Sequence, residues 1–207
     1  MIGIETRELE EIAICMFAIS VALFIAGNGI AGIFSYPPVE VAKQLGVLML
    51  TVGTGFICHE MAHKFVAVRY GARAGFVMWP TGLLLMFVFA VLFGFVFAAP
   101  GAVYIYARSI TREQNGKISV AGPLTNIVLA VAFLALLPFA VALFGAKSIL
   151  TEIAFFGYVF NTIFAGFNLL PIFPLDGSKV LAWNWIIWLA LLGTAVCLYI
   201  VPMMLLA

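Results

Sequence analysis

Charge is what this sequence has least of. Only 10 Lys and Arg and 9 Asp and Glu occur in 207 residues, 9% of the chain against 65% apolar side chains. A soluble domain is about a quarter charged, so this chain lacks the polar residues to cover a water-facing surface. With a mean hydropathy of +1.21, it reads as an integral, multi-pass membrane protein whose main solvent is the lipid bilayer. A net charge of +1 excludes a nucleic-acid partner, which requires a basic surface. The three cysteines, Cys15, Cys58 and Cys197, have no CxxC spacing, which argues against a thiolate metal site or a disulfide framework. The acidic TRELEEI segment stands where a signal peptide would carry basic residues, so no cleaved signal is read. That segment is expected to be a solvated helix start. Histidine and aspartate are scarcer still: His59, His63 and Asp176 are the whole supply.

A spanning helix needs about 20 mostly apolar residues. Five stretches of the sequence qualify: 12–34, 44–66, 118–144, 149–170 and 180–206. Between the second and third lies 74–107, uncharged and interrupted by Pro80, Gly82, Gly94, Pro100 and Gly101. As one straight helix it would reach about 50 Å, against a hydrocarbon core of about 30 Å. Two full spans with a turn need more residues than it has. Arg69 and Arg73 precede it, and Arg108, Arg112 and Lys117 follow. Basic residues collect on the cytoplasmic side, so the stretch is expected to dip in and return on the same side. That topology puts eight of the ten basic residues on the cytoplasmic face and leaves Lys43 and Lys147 opposite. The alternative, one long tilted crossing, divides them evenly. The expected fold is a single domain over 1–207: an all-α polytopic membrane protein. It has five to six transmembrane helices and a re-entrant loop or β-hairpin at 74–107.

His59-Glu60-Met61-Ala62-His63 fits the pattern H-E-x-x-H. Residues four apart share one helix face, so both imidazoles can reach one metal ion with Glu60 beside them as general base. Zinc in such a site lowers the pKa of its bound water to about 7 and polarises a carbonyl. Ionisable groups in an apolar membrane helix are costly and point to function. The bland alternative is a histidine pair hydrogen-bonded between helices. Catalytic zinc takes three protein ligands, and among the acids only Asp176 is well placed. Pro171 and Pro174 lie ahead of it and disfavour continued helix. With the returning loop, Asp176 arrives at the cytoplasmic end of the bundle, level with His59 and His63. The competing role for Asp176 is a helix N-cap.

Three ordered motifs, HEMAH (59–63), GPLTN (122–126) and NLLPIFPLDG (168–177), span about 120 of the 207 residues. Together they resemble the site-2 protease family of intramembrane zinc metalloproteases. Its patterns G-P-x-x-N and N-x-x-P-x-x-x-L-D-G match the second and third. The resemblance implies an intramembrane zinc endopeptidase that cuts transmembrane segments of protein substrates, with one zinc ion per chain. It implies His59, His63 and Asp176 as metal ligands and Glu60 as the catalytic acid and base. Asn168 and Asn126 are implied as substrate-binding or oxyanion groups, with Gly122, Pro123 and Asn126 forming a helix start near the site. On its residues alone, Asn126 could equally hydrogen-bond a neighbouring helix.

The family also carries a membrane-embedded hairpin or re-entrant loop after the zinc helix. Here Leu83 to Phe97 is expected to be helical and Ala99 to Tyr106 to hold a strand. A helical substrate must unwind before attack, and adding it as a strand to an exposed edge would hold it extended. Trp183, Trp185 and Trp188 are expected to be lipid-facing and interfacial anchors. A rival function is a membrane metal transporter using the same His and Asp ligands, which gives no reason for Glu60.

Overall fold

The computed structural model describes residues 5–96 and 100–206. Four of its helices are long and apolar enough to cross a membrane: Thr6–Ser35, Pro38–Arg69, Arg112–Phe144 and Ile149–Asn168. The architecture is that of a polytopic, mainly helical membrane protein, with two short strands as its only sheet among the described residues.

Helix α1 (Thr6–Ser35) starts in a capping box in which Glu5 and Glu8 satisfy each other's backbone amides. The second crossing is composite. Helix α2 (Pro38–Leu48), with proline at its first position, leads through a π-turn (Met49–Gly53) into α3 (Thr54–Arg69), which carries HEMAH. Such wider turns re-phase the side chains that follow and often lie near functional sites. Helix α5 (Arg112–Phe144) begins at a capping box between Thr111 and Gln114. It therefore starts six residues ahead of the expected 118 and leaves Pro123 in its interior. The expectation of a helix start at GPLTN is corrected: Thr111 supplies the cap, and neighbouring elements hold the helix through a proline that costs it one backbone bond.

The 74–107 stretch enters and leaves at one end of the bundle. Strand β1 (Arg73–Met78) pairs antiparallel with β2 (Gly101–Tyr106), so residues 73 and 106 lie side by side. Between them stands α4 (Pro80–Phe93), whose 14 residues make about 21 Å, too short to cross. The loop is thus both a hairpin and a re-entrant helix. Its helix ends at Phe93; the expected end at Phe97 and the expected strand start at Ala99 lie outside the described residues. Inward, α4 packs on α1 and the π-turn through Ala18, Ile19, Ala22, Val52, Met86 and Ala90.

Helix α6 (Ile149–Asn168) runs back against α5. The fifth expected span, 180–206, is corrected to two helices. A short α7 (Asp176–Trp183) begins earlier, and α8 (Trp185–Leu206) follows a break at Asn184. Asn184 has extended backbone there, and its side chain caps the new helix through the amides of Ile186 and Ile187. Of the tryptophans expected in lipid, Trp185 is 62% exposed, but two serve packing. Trp183 lies against Gly116 of α5, and the Trp188 indole donates to the Leu169 carbonyl at 2.8 Å.

The polar groups collect at the two ends. At one, Lys43 of α2 meets Glu152 of α6 at 2.9 Å. At the other lie His63, Lys64 and Asp176, with the hairpin and the first turns of α1.

Candidate metal centre

Two helical stripes meet at the site. On α3, Gly55, His59 and His63 are spaced by four and share one face; on α5, Ile118, Gly122 and Asn126 do the same. The stripes run antiparallel and match residue by residue. Asn126 Nδ2 donates to the Gly55 carbonyl at 3.1 Å, and Asn126 Oδ1 accepts from His59 Nδ1 at 2.6 Å. The Ile118 carbonyl accepts from His63 Nδ1 at 2.7 Å. A carbonyl oxygen has a second lone pair to offer beyond its helical bond.

These acceptors settle the imidazole tautomers. A backbone carbonyl can only accept, so His63 carries its proton on Nδ1. Asn126 turns its amide nitrogen to Gly55 and to Asn161 Oδ1 (2.8 Å), which leaves its oxygen for His59. With each Nδ1 held from behind, Nε2 is the nitrogen each ring presents for a metal, the arrangement by which proteins fix metal-ligating histidines.

Both Nε2 atoms face Asp176. Its Oδ2 lies 3.3 Å from His59 Nε2 and 3.0 Å from His63 Nε2. Ligand atoms on a tetrahedral zinc with bonds of about 2.0–2.1 Å lie about 3.3 Å apart, so the donor set fits one such ion. All three residues are buried. Asp176 is the first residue of α7, and the N-cap position belongs to Leu175, which has no side-chain cap bond. The N-cap role weighed for Asp176 is thus set aside: its carboxylate reaches across to α3. Lys179, one turn along α7, approaches the other carboxylate oxygen at 3.6 Å.

Glycine shapes the space. A Cβ on Gly122 would stand 2.5 Å from His59 Nε2 and closer still to His63 Nε2. Only a residue without a side chain leaves room between the imidazoles and α5. Gly177 performs the same service for the turn, since a Cβ there would run into the Leu169 carbonyl at the end of α6. That contact sets Asp176 at the histidines' level.

Glu60 is half-buried, and its Oε2 accepts from the Val103 amide of β2 at 2.8 Å. The carboxylate next to the histidine pair is thereby held against the hairpin's edge. Asn168 donates to the Phe164 carbonyl at 3.0 Å within its own helix. Of the six expected site residues, the structure joins His59, His63, Asp176 and Asn126 by direct polar contacts. Glu60 and Asn168 bond elsewhere.

Two groups went unnoticed in the sequence. Asn161 of α6, 1% exposed, holds Asn126 while donating to the Gly157 carbonyl at 2.8 Å. A lone amide two turns before Asn168, in an apolar helix, was the available signal. Glu8, expected to be solvated, is 8% exposed. Its oxygens accept from Lys64 Nζ at 2.8 and 2.7 Å, and one also takes the Phe76 amide at 2.6 Å. The correction has a plain physical cause: a buried lysine next to His63 requires a counter-charge.

Known proteins are similar to this chain in sequence. Over 182 residues the chain is 46% identical to a Methanocaldococcus jannaschii protein named "Putative zinc metalloprotease MJ0611", covering 88% of this chain and 92% of that protein. A Mycolicibacterium smegmatis protein, "Putative zinc metalloprotease Rip2", is 30% identical over 184 residues, 80% of this chain and 68% of its own length. Zinc metalloprotease MJ0392, also from M. jannaschii, is 24% identical over 136 residues, 65% of this chain but 33% of that protein. No family model matches the chain, and no solved structure matches it.

Proposed function

The chain belongs to the zinc metalloprotease family of these relatives, and from that premise we propose that it is an intramembrane zinc endopeptidase of the site-2 protease type, hydrolysing peptide bonds in transmembrane segments of protein substrates. One observation carries the reading: His59, His63 and Asp176 converge within 4.8 Å of one another in a bundle whose helices are long and apolar enough to cross a bilayer. His59 Nε2, His63 Nε2 and a carboxylate oxygen of Asp176 would hold one zinc ion. When bound, that ion supplies a Lewis acid and acidifies a water molecule.

The remaining work falls to the chain's own side chains. Glu60 takes a proton from the attacking water and passes it to the amine that departs when the peptide C–N bond breaks. Asn126 and the Ile118 carbonyl keep both imidazoles in the tautomer that binds metal. Asn168, at the end of α6, offers an amide to the substrate or its oxyanion. An unwound substrate segment adds as a strand to the outer edge of β2. Its carbonyl accepts from Val103 in place of Glu60, whose carboxylate is then free to work on water. The gathering of basic residues at this end supports a cytoplasmic orientation for it.

Glu60→Gln is the decisive variant. It is expected to retain stoichiometric zinc, measured on the purified protein, and to lose cleavage of a model transmembrane substrate by at least about 100-fold, the range of a general base. Full cleavage in that variant overturns the mechanism. Zinc flux into liposomes that survives the same change would instead identify a transporter.

A further inference from the structure

The hairpin has two outer edges, and they are occupied unequally. Phe76 of β1 and Val103 of β2 are opposite one another in the register. Each turns its amide away from the ribbon, Phe76 to Glu8 at 2.6 Å and Val103 to Glu60 at 2.8 Å. On β1 the next outward amide, Met78, donates to Glu11 Oε2 at 2.7 Å. Glu8 and Glu11 are three apart on α1, and Phe76 and Met78 are two apart on β1. One helix turn thus spans two outward amides. Both carboxylates are anchored from behind: Glu8 by Lys64 through both oxygens, and Glu11 by Arg7 Nε at 2.8 Å.

Helix α1 packs beside this edge, burying Phe76 together with Ile12 and Cys15, but it does not fill the space there. A cavity of about 550 Å³ runs beside it, lined by Lys64, Arg73, Ala74 and Gly75 together with Glu8 and Glu11. That volume lies in the range of ligand sites. A strand edge is a template for an extended chain, and this one borders that cavity.

We propose that Glu8 and Glu11 are specificity-determining residues of the endopeptidase. Their carboxylates take the outward amides of β1 in place of a third strand's carbonyls, so an extended substrate segment adds to β2 alone. The proposal rests on the strand-addition reading above. Its value to the enzyme is geometric. Strands in a sheet lie about 4.8 Å apart, so a segment on β1 would be three spacings, about 14 Å, from one on β2 beside Glu60. A substrate bound there would be held extended and never cut.

Disulfide trapping separates the two edges. Val77 and Ala102 are register partners, and both are exposed. Each is replaced singly by cysteine in full-length Glu60→Gln protein whose Cys15, Cys58 and Cys197 are alanine. The probe is a model transmembrane substrate with one cysteine near its cut site. The expected result is a cross-link to Ala102→Cys and only background at Val77→Cys. Adding Glu8→Ala with Glu11→Ala raises the Val77→Cys yield to that of Ala102→Cys. The same pair in active enzyme slows cleavage severalfold. Glu8→Gln with Glu11→Gln, which keeps an acceptor oxygen on each side chain, restores the one-sided pattern. Zinc content reports folding; if the double alanine variant does not fold, Glu11→Ala alone carries the test with the Glu8–Lys64 pair intact. Cross-links at neither edge overturn strand addition itself. Cross-links confined to Ala102→Cys in every variant leave strand addition standing and overturn the role of Glu8 and Glu11.

Discussion

His59 and His63 present the same atom to the same point, yet they are aimed by unlike means. His63 leans on a main-chain carbonyl, Ile118, that no substitution removes. His59 leans on the side chain of Asn126, which in turn leans on Gly55 and Asn161. One imidazole is positioned by the path of α5 and the other by a chain of amides. The backbone solution is robust, and the side-chain solution is adjustable. The difference teaches where the site can be damaged without unfolding the bundle.

The sharpest way to abolish the difference is to strike both rings at once. Gly122→Ala puts a methyl group 2.5 Å from His59 Nε2 and closer to His63 Nε2. Neither α3 nor α5 can retreat without breaking the bonds to Ile118 and Asn126. Zinc affinity is expected to fall by more than the roughly 100-fold typical of removing a partner behind a ligand. Metal analysis of the purified variant checks it, and a stoichiometric zinc content would mean that the stripes are looser than the distances imply.

Asn126→Ala strikes His59 alone. His59 Nδ1 then faces no acceptor, and the ring is free to turn or change tautomer. Zinc affinity should weaken by about 10- to 100-fold, read by competition with a metal chelator, while His63 keeps its bond to Ile118. If the loss matched that of Gly122→Ala, the two histidines would be one unit and the contrast between them would dissolve.

How much of this was readable beforehand depends on the distance over which each signal acts. HEMAH and the LDG turn are local patterns, and the poverty of charge made them conspicuous. The same-side return of 74–107 followed from flanking arginines, and the pairing of Arg73 with Tyr106 closes it as expected. The ends of elements were less legible. Thr111 caps α5 ahead of its apolar run, and Asn184 breaks what hydropathy reads as one span. Hydropathy registers neither capping nor backbone breaks. Least legible were the long-range polar ties. Glu8 meets partners 56 and 68 residues away, and nothing in TRELEEI distinguishes Glu8 and Glu11, which meet the hairpin, from the exposed Glu10. Asn126 had two readings in the sequence, and its bond to His59 depends on the phase between α3 and α5, which only packing determines.

The smallest expected effect tests how far the side-chain solution extends. Asn161→Ala removes one acceptor from Asn126 Nδ2 but leaves the Gly55 carbonyl in place. A single neutral hydrogen bond contributes about 1 kcal/mol, which is about fivefold in an equilibrium constant. Zinc affinity should therefore weaken by about fivefold at most, well short of Asn126→Ala. The cavity left by the amide is lined by the Gly55 backbone, so Gly55→Ala combined with Asn161→Ala fills part of it and should recover some of the loss. A loss in Asn161→Ala equal to that of Asn126→Ala would show that the whole amide chain, not its last member, aims His59. No loss at all would show that Gly55 alone suffices, and would draw the two histidines closer, each then depending on a main-chain carbonyl.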